Sequence, residues 1–168
     1  MASAQSISGT GALRIGFELI SQECPAKVLI PAPTWTNHES IAKRAGLAFE
    51  YYPYYDPVTK KVKLQDLLAF FDKAQAGTIV LLHACAHNPT GVDPTPEDWK
   101  TIAEVMEKKK LIPFFDSAYQ GFASGDIIKD IEPVRYFASK GFDMFVSQSY
   151  VKNMGLWPQN WHHPCGHP

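Results

Sequence analysis

The side chains of this chain that are able to do covalent or acid–base work fall in a few short runs. A lysine amine, Lys152, stands in Ser147-Gln148-Ser149-Tyr150-Val151-Lys152, three residues after the hydroxyl of Ser149. A carboxylate and a phenol, Asp116 and Tyr119, share Phe114-Phe115-Asp116-Ser117-Ala118-Tyr119. Asn88 lies in His83-Ala84-Cys85-Ala86-His87-Asn88-Pro89-Thr90-Gly91, and Trp35 and His38 lie in Pro33-Thr34-Trp35-Thr36-Asn37-His38. Ser8-Gly9-Thr10-Gly11 precedes an amphipathic stretch. Backbone N–H groups at a helix start, with hydroxyls beside them and glycine leaving room, make a seat for phosphate. A neutral lysine amine attacks carbonyl carbon, and a carboxylate beside it can hold a cationic group. Each run also has an ordinary reading: an exposed lysine after a strand, an aspartate N-cap, an Asn-Pro turn, a core tyrosine, a core tryptophan, a surface histidine.

The elements that carry these residues decide between the two. Lys27–Ile30, Ala48–Tyr52, Thr78–His83, Leu111–Asp116 and Asp143–Ser147 read as five strands, four of them apolar enough to be covered on both faces. The first is expected to stop at the Pro31-Ala32-Pro33 turn. Leu13, Gly16, Phe17 and Ile20 keep helical spacing, as do Leu64, Leu67, Leu68 and Phe71, and Trp99, Ile102, Ala103 and Met106. Thr95 before Pro96, with Asp98 three residues on, predicts an N-cap with its capping box. Strands alternating with helices predict an α/β domain with a mainly parallel sheet. In such sheets ligands bind beyond the carboxyl ends of the strands. Trp35 and His38 follow the first strand, Asn88 the third, Asp116 and Tyr119 the fourth, Ser149 and Lys152 the fifth. All collect on that one edge, so a single pocket is expected.

Composition narrows the function class. The chain has 168 residues, 16 Lys and Arg against 17 Asp and Glu, and 45% apolar residues. A formal charge of −1 recruits neither nucleic acid nor an anionic membrane. No apolar run approaches the roughly 20 residues of a spanning helix. Cys24, Cys85 and Cys165 lack CxxC spacing and read as reduced thiols. With no signal or transit pattern at the start, the expected compartment is the cytoplasm, with mitochondrial parentage left open.

The quoted motifs, together with Gln5–Arg14 and the continuation to Leu156, resemble those of aspartate aminotransferases, which are class I, fold type I enzymes dependent on pyridoxal 5'-phosphate. The resemblance runs from about Gln5 to Trp157. It implies the large cofactor-binding domain of that fold, in part, over residues 1–157. It also implies that Lys152 forms the Schiff base with the cofactor and shuttles a proton at the substrate. Asp116 would pair with the pyridine nitrogen, and Asn88 and Tyr119 would bond the phenolic oxygen. Trp35 would stack on the ring, His38 would support Asp116, and Ser8, Gly9, Thr10 and Ser149 would hold the phosphate. Implied partners are an amino acid and a 2-oxo acid, in a homodimer; no metal is implied.

The resemblance ends after Leu156. Asn160 stands where the family carries a phosphate-clamping arginine, and residues 158–168 predict a divergent, irregular tail. Its His162, His163, Cys165 and His167 read as solvated rather than as a zinc site. The arginines that orient the substrate have no counterpart. The alternative reading is therefore a shortened, non-catalytic chain that binds the cofactor weakly or associates with a full-length partner. A nucleotide-binding Rossmann domain is disfavoured, because Arg14 stands where its third glycine would be.

Overall fold

The computed structural model describes residues 2–156. Trp157, Asn160 and the histidine-containing tail lie outside the described residues. Six helices and seven strands follow one another along the described chain. They are α1 (Ser8–Glu23), β1 (Val28–Ala32), α2 (Asn37–Arg44), β2 (Phe49–Pro53), β3 (Tyr55–Asp56), β4 (Lys61–Val62) and α3 (Leu64–Asp72). Then come β5 (Ile79–His83), α4 (Pro96–Lys109), β6 (Ile112–Ser117), α5 (Ile127–Asp130), α6 (Glu132–Ser139) and β7 (Phe145–Gln148).

Five strands form one parallel sheet in the order β2-β1-β5-β6-β7. Alternation along each strand divides the core in two. Val28, Ile30, Ile79, Leu81 and Phe114 point to one face, where Leu13, Phe17 and Ile20 of α1 and Ile41 and Ala42 of α2 meet them. Leu29, Val80, Leu82 and Phe115 point to the other, against Leu67 and Phe71 of α3, Trp99, Ile102 and Met106 of α4, and Phe137 of α6. A period of two sends neighbouring apolar residues to opposite faces, so an all-apolar strand needs helices on both sides. The expectation of a mainly parallel, helix-flanked sheet holds.

Several local expectations are corrected. β1 continues through Pro31 to Ala32 rather than stopping at the proline. Pro lacks an N–H, but its carbonyl and the flanking residues still pair. Ser8–Gly11 lies inside the first turn of α1 rather than before it. β7 is only half covered, with Val146 exposed. The Thr95–Asp98 capping box forms as expected, each residue accepting the other's backbone N–H at 2.9 and 3.1 Å.

Chain direction prepares the site. From β1 the chain steps outward to β2, then crosses back to β5 on the other side of β1. A crevice opens beyond the carboxyl ends of two strands whose connections leave in opposite directions. The residues following β1 and β5 flank that crevice.

Candidate active site

One cavity of about 240 Å³ lies at this edge of the sheet. Its wall includes Ser8, Gly9 and Thr10 from α1, Trp35 from beyond β1, and Asn88 from beyond β5. Asp116 and Tyr119 of the β6 end and Ser149 and Lys152 from beyond β7 complete it. Five chain segments that are far apart in sequence therefore converge on one space. Of the ten residues singled out by sequence, only His38 does not line it; its ring stands behind Asp116. Sequence reasoning missed Leu13, His83, Cys85 and Ala118, which also line the cavity. His83 and Cys85 lie in the quoted run around Asn88, but a histidine ending an apolar strand reads equally well as core.

Asp116 is the penultimate residue of β6, 8% exposed, and its side chain lines the cavity. His38, fully buried in the first turn of α2, holds it: Nε2 lies 2.9 Å from Asp116 Oδ2. Behind His38 the hydrogen bonds fix a direction. The Asn88 backbone N–H donates to His83 Nδ1 at 3.3 Å, which leaves the His83 proton on Nε2. That nitrogen donates to Thr34 Oγ1 at 3.2 Å, and the Thr34 hydroxyl donates to His38 Nδ1 at 2.8 Å. His38 is then left with its proton on Nε2, facing Asp116. Burial, with His87 and His38 nearby, holds His83 well below its ordinary pKa, so it stays a neutral link in this line.

The loop after β5 is shaped by Asp93. Its carboxylate accepts the backbone N–H of Ala86 at 2.6 Å and of His87 at 2.9 Å. Ala86 takes a left-handed backbone there, with φ of 47°, a conformation that costs a non-glycine residue energy. Asn88 is thereby turned into the cavity, its Nδ2 3.5 Å from the Tyr119 hydroxyl. His87 stacks on Tyr54 with ring centres 3.9 Å apart, and burial lowers its pKa to about 4. The Cys85 thiol is pushed up to about 12, by burial first and then by Asp130, Asp93 and Asp116, so it remains protonated.

On the open side, Lys152 is exposed, and its Nζ lies 3.9 Å from the centre of the Tyr119 ring. An ammonium over an aromatic face is attracted by the ring's electron density. Trp35, half-buried, meets the His38 ring edge-on at 5.3 Å.

The first turn of α1 forms the remaining wall. The amides of Ser8, Gly9 and Thr10 have no intrahelical acceptor by helix geometry. No side chain caps them, and the first turn holds no acid. Gly9 packs so close to the strand end that an added Cβ would lie 3.1 Å from Ser149 Cβ. Its missing side chain keeps this corner open. The helix start therefore offers donors and partial positive charge with no acid in its own first turn to absorb them.

The donor set fits a flat heterocycle that carries a phosphate at one end and a basic nitrogen at the other. Amides and hydroxyls face one corner, a held carboxylate lines the wall, and an amine stands at the mouth. Among the described residues no group of three or more His, Cys, Asp or Glu could hold a metal ion, and no helix is long and apolar enough to cross a membrane.

Comparison with known proteins places this arrangement. The sequence pattern of the family "Aminotransferase class I and II" matches residues 2–157. Mitochondrial aspartate aminotransferase P2 of Lupinus angustifolius is 51% identical over 160 residues, which are 95% of this chain and 35% of that protein. The solved aspartate aminotransferase of Saccharomyces cerevisiae cytoplasm superposes with a TM-score of 0.90 at 44% identity, over 93% of this chain and 39% of that one. An aromatic-amino-acid aminotransferase of Burkholderia pseudomallei, solved covalently bound to pyridoxal phosphate, gives 0.87 at 44% identity, over 92% and 39%. The chain spans 35–39% of the length of these relatives. With its strand-end motifs and nearly all its length inside the family pattern, the chain belongs to the class I and II aminotransferases.

Proposed function

We propose that this chain holds pyridoxal 5'-phosphate in the cavity and serves amino-group transfer from L-aspartate to a 2-oxo acid. The observation that carries the reading is the sharing of one cavity by a carboxylate held from behind, an exposed amine and an uncapped helix start. Ser8, Gly9, Thr10 and Ser149 would hold the phosphate by backbone and hydroxyl donors. Trp35 would cover a ring face, and Asn88 and Tyr119 would donate to the phenolic oxygen. When bound, the cofactor supplies an electron-withdrawing ring that accepts the electron pair left at the substrate Cα.

Asp116 would face the pyridine nitrogen and favour its protonated form, because a carboxylate stabilises a cation beside it. His38 makes that effect dependable. Its N–H fixes which oxygen of Asp116 turns inward and leaves the other free to accept. Lys152 would hold the cofactor covalently and, once displaced, would carry the proton between the substrate Cα and the other side of the transfer. Its position at the mouth suits both tasks, since the substrate must arrive there. A second copy of the chain is the proposed partner. The cytoplasm, where the yeast relative resides, is the proposed compartment.

A single half-reaction tests the proposal. The chain is loaded with pyridoxal 5'-phosphate and mixed with L-aspartate alone. Loss of the visible band with one equivalent of the matching 2-oxo acid is the expected result. A loaded chain whose spectrum ignores aspartate and every other amino acid overturns it.

A further inference from the structure

Asp130 lies outside the cavity, on the last turn of α5, and is 4% exposed. Its carboxylate is saturated with donors from the loop after β6. Oδ2 accepts the backbone N–H groups of Gly121 at 2.8 Å and Ala123 at 3.0 Å. Oδ1 accepts the Ser124 N–H at 3.1 Å and its hydroxyl at 2.6 Å. Hydrogen bonds to an ionised acceptor are about twice as strong as neutral ones.

Two further bonds hold this loop: the Gln120 amide donates to the Ile127 carbonyl at 2.8 Å, and the Phe122 N–H donates to the Tyr119 carbonyl at 2.9 Å. Phe122, Ile127 and Ile128 are 63%, 57% and 55% exposed, so apolar burial does not anchor it. Tyr119, two residues before the tied Gly121 amide, is held no better by its own contacts. Its hydroxyl is 3.5 Å from Asn88 Nδ2, the outer limit of a hydrogen bond, and its ring faces an exposed lysine. The place of Tyr119 is thus set by the backbone that carries it.

We propose that Asp130 is a positioning residue, which fixes through the loop it ties down where the Tyr119 phenol stands against Lys152 and Asn88. The cofactor-dependent part of this proposal rests on the function proposed above; the geometric part does not. Burial alone would raise the Asp130 pKa. The Ser124 hydroxyl and the Ala123, Gly121 and Ser124 amides outweigh that and hold it below its ordinary value. The carboxylate is therefore ionised at neutral pH, the form in which it accepts all four donors.

The test uses the full chain with isotope-labelled lysine and no cofactor. The Tyr119 ring shields the ε-methylene of Lys152, and Tyr119→Ala identifies the shielded signal. Asp130→Asn should lose most of that shielding while the far-UV circular dichroism is unchanged. If Asp130→Asn does not fold, Ser124→Ala, which removes one donor, should lose part of it. Full shielding in a folded Asp130→Asn, or in Ser124→Ala where that variant decides, overturns the proposal.

With pyridoxal 5'-phosphate added, the pH midpoint of the visible band gives a second readout. Asp130→Asn should move it in the same direction as Tyr119→Phe, and adding Tyr119→Phe to Asp130→Asn should move it little further. A midpoint that Tyr119→Phe shifts but Asp130→Asn leaves in place overturns the proposal. If the wild-type chain forms no band, the proposed function fails, and the lysine signal alone decides the role of Asp130.

Discussion

His38 Nε2 lies 2.9 Å from Oδ2 of Asp116, and the two residues come from elements 78 positions apart. Neither would be comfortable alone: a buried carboxylate without a donor bears the full cost of desolvation. His38→Phe keeps the ring volume and removes the donor. It also removes the acceptor of the Thr34 hydroxyl. The expected loss is about 1–3 kcal/mol of unfolding free energy, read by urea denaturation at neutral pH. A variant as stable as the wild type would mean that the pair contributes nothing to the fold.

Acid should destabilise the chain earlier than its carboxylates require. His87 is buried, its Nε2 has no hydrogen-bond partner among the described residues, and its pKa is lowered to about 4. A group whose folded pKa lies below its unfolded value stabilises the fold fully above the unfolded value. That stabilisation is lost as pH falls towards the folded one. For His87 the window runs from its ordinary 6.5 down to about 4. The difference corresponds to a loss on the order of 3 kcal/mol. A pH series of denaturation curves should show it, and His87→Gln should flatten the slope in that window. Ring titration of His87 near 6.5 in the folded chain would contradict the sign.

Gly16 should reject alanine despite lying in mid-helix. On an open helix face Gly→Ala gains about 0.5–1 kcal/mol. Here an added Cβ would meet Phe114 Cζ at 2.5 Å and Cε1 at 2.9 Å. The Phe114 ring is 1% exposed and wedged between Phe17 and Phe145, with ring centres 5.1 and 5.5 Å away, so it has nowhere to move. Gly16→Ala should cost about 1–3 kcal/mol, as overpacked core sites do. A raised melting temperature would show that α1 can slide away from the sheet.

The sequence made some of this architecture readable and concealed the rest, for physical reasons. Runs such as Val28–Ile30 and Ile79–Leu82 announce strands because both faces need apolar side chains. α2 went unread because Asn-His-Glu-Ser-Ile-Ala-Lys-Arg buries only His38, Ile41 and Ala42, too short a stripe to show a period. The two-residue strands β3 and β4 exist through tertiary context rather than propensity. That Asn88, Asp116 and Lys152 would meet around one cavity was legible because strand ends gather on one edge. The line from His83 through Thr34 to His38 was not, since nothing in a spacing of 49 residues between Thr34 and His83 predicts contact. Asp130 was hidden for the same reason: three of its four donors are backbone amides, which every sequence contains, and the fourth is a single serine hydroxyl.

On the proposed function the Lys152 amine is the covalent anchor of a cofactor seated on Asp116. The most direct measurement is to incubate the chain with pyridoxal 5'-phosphate, reduce it with borohydride, digest it and map the pyridoxyl group by mass spectrometry. The expected result is one dominant label on Lys152, strongly reduced in Asp116→Ala although the lysine is still present. A label spread over exposed lysines such as Lys100 and Lys108, with Lys152 no more modified than they are, would contradict it.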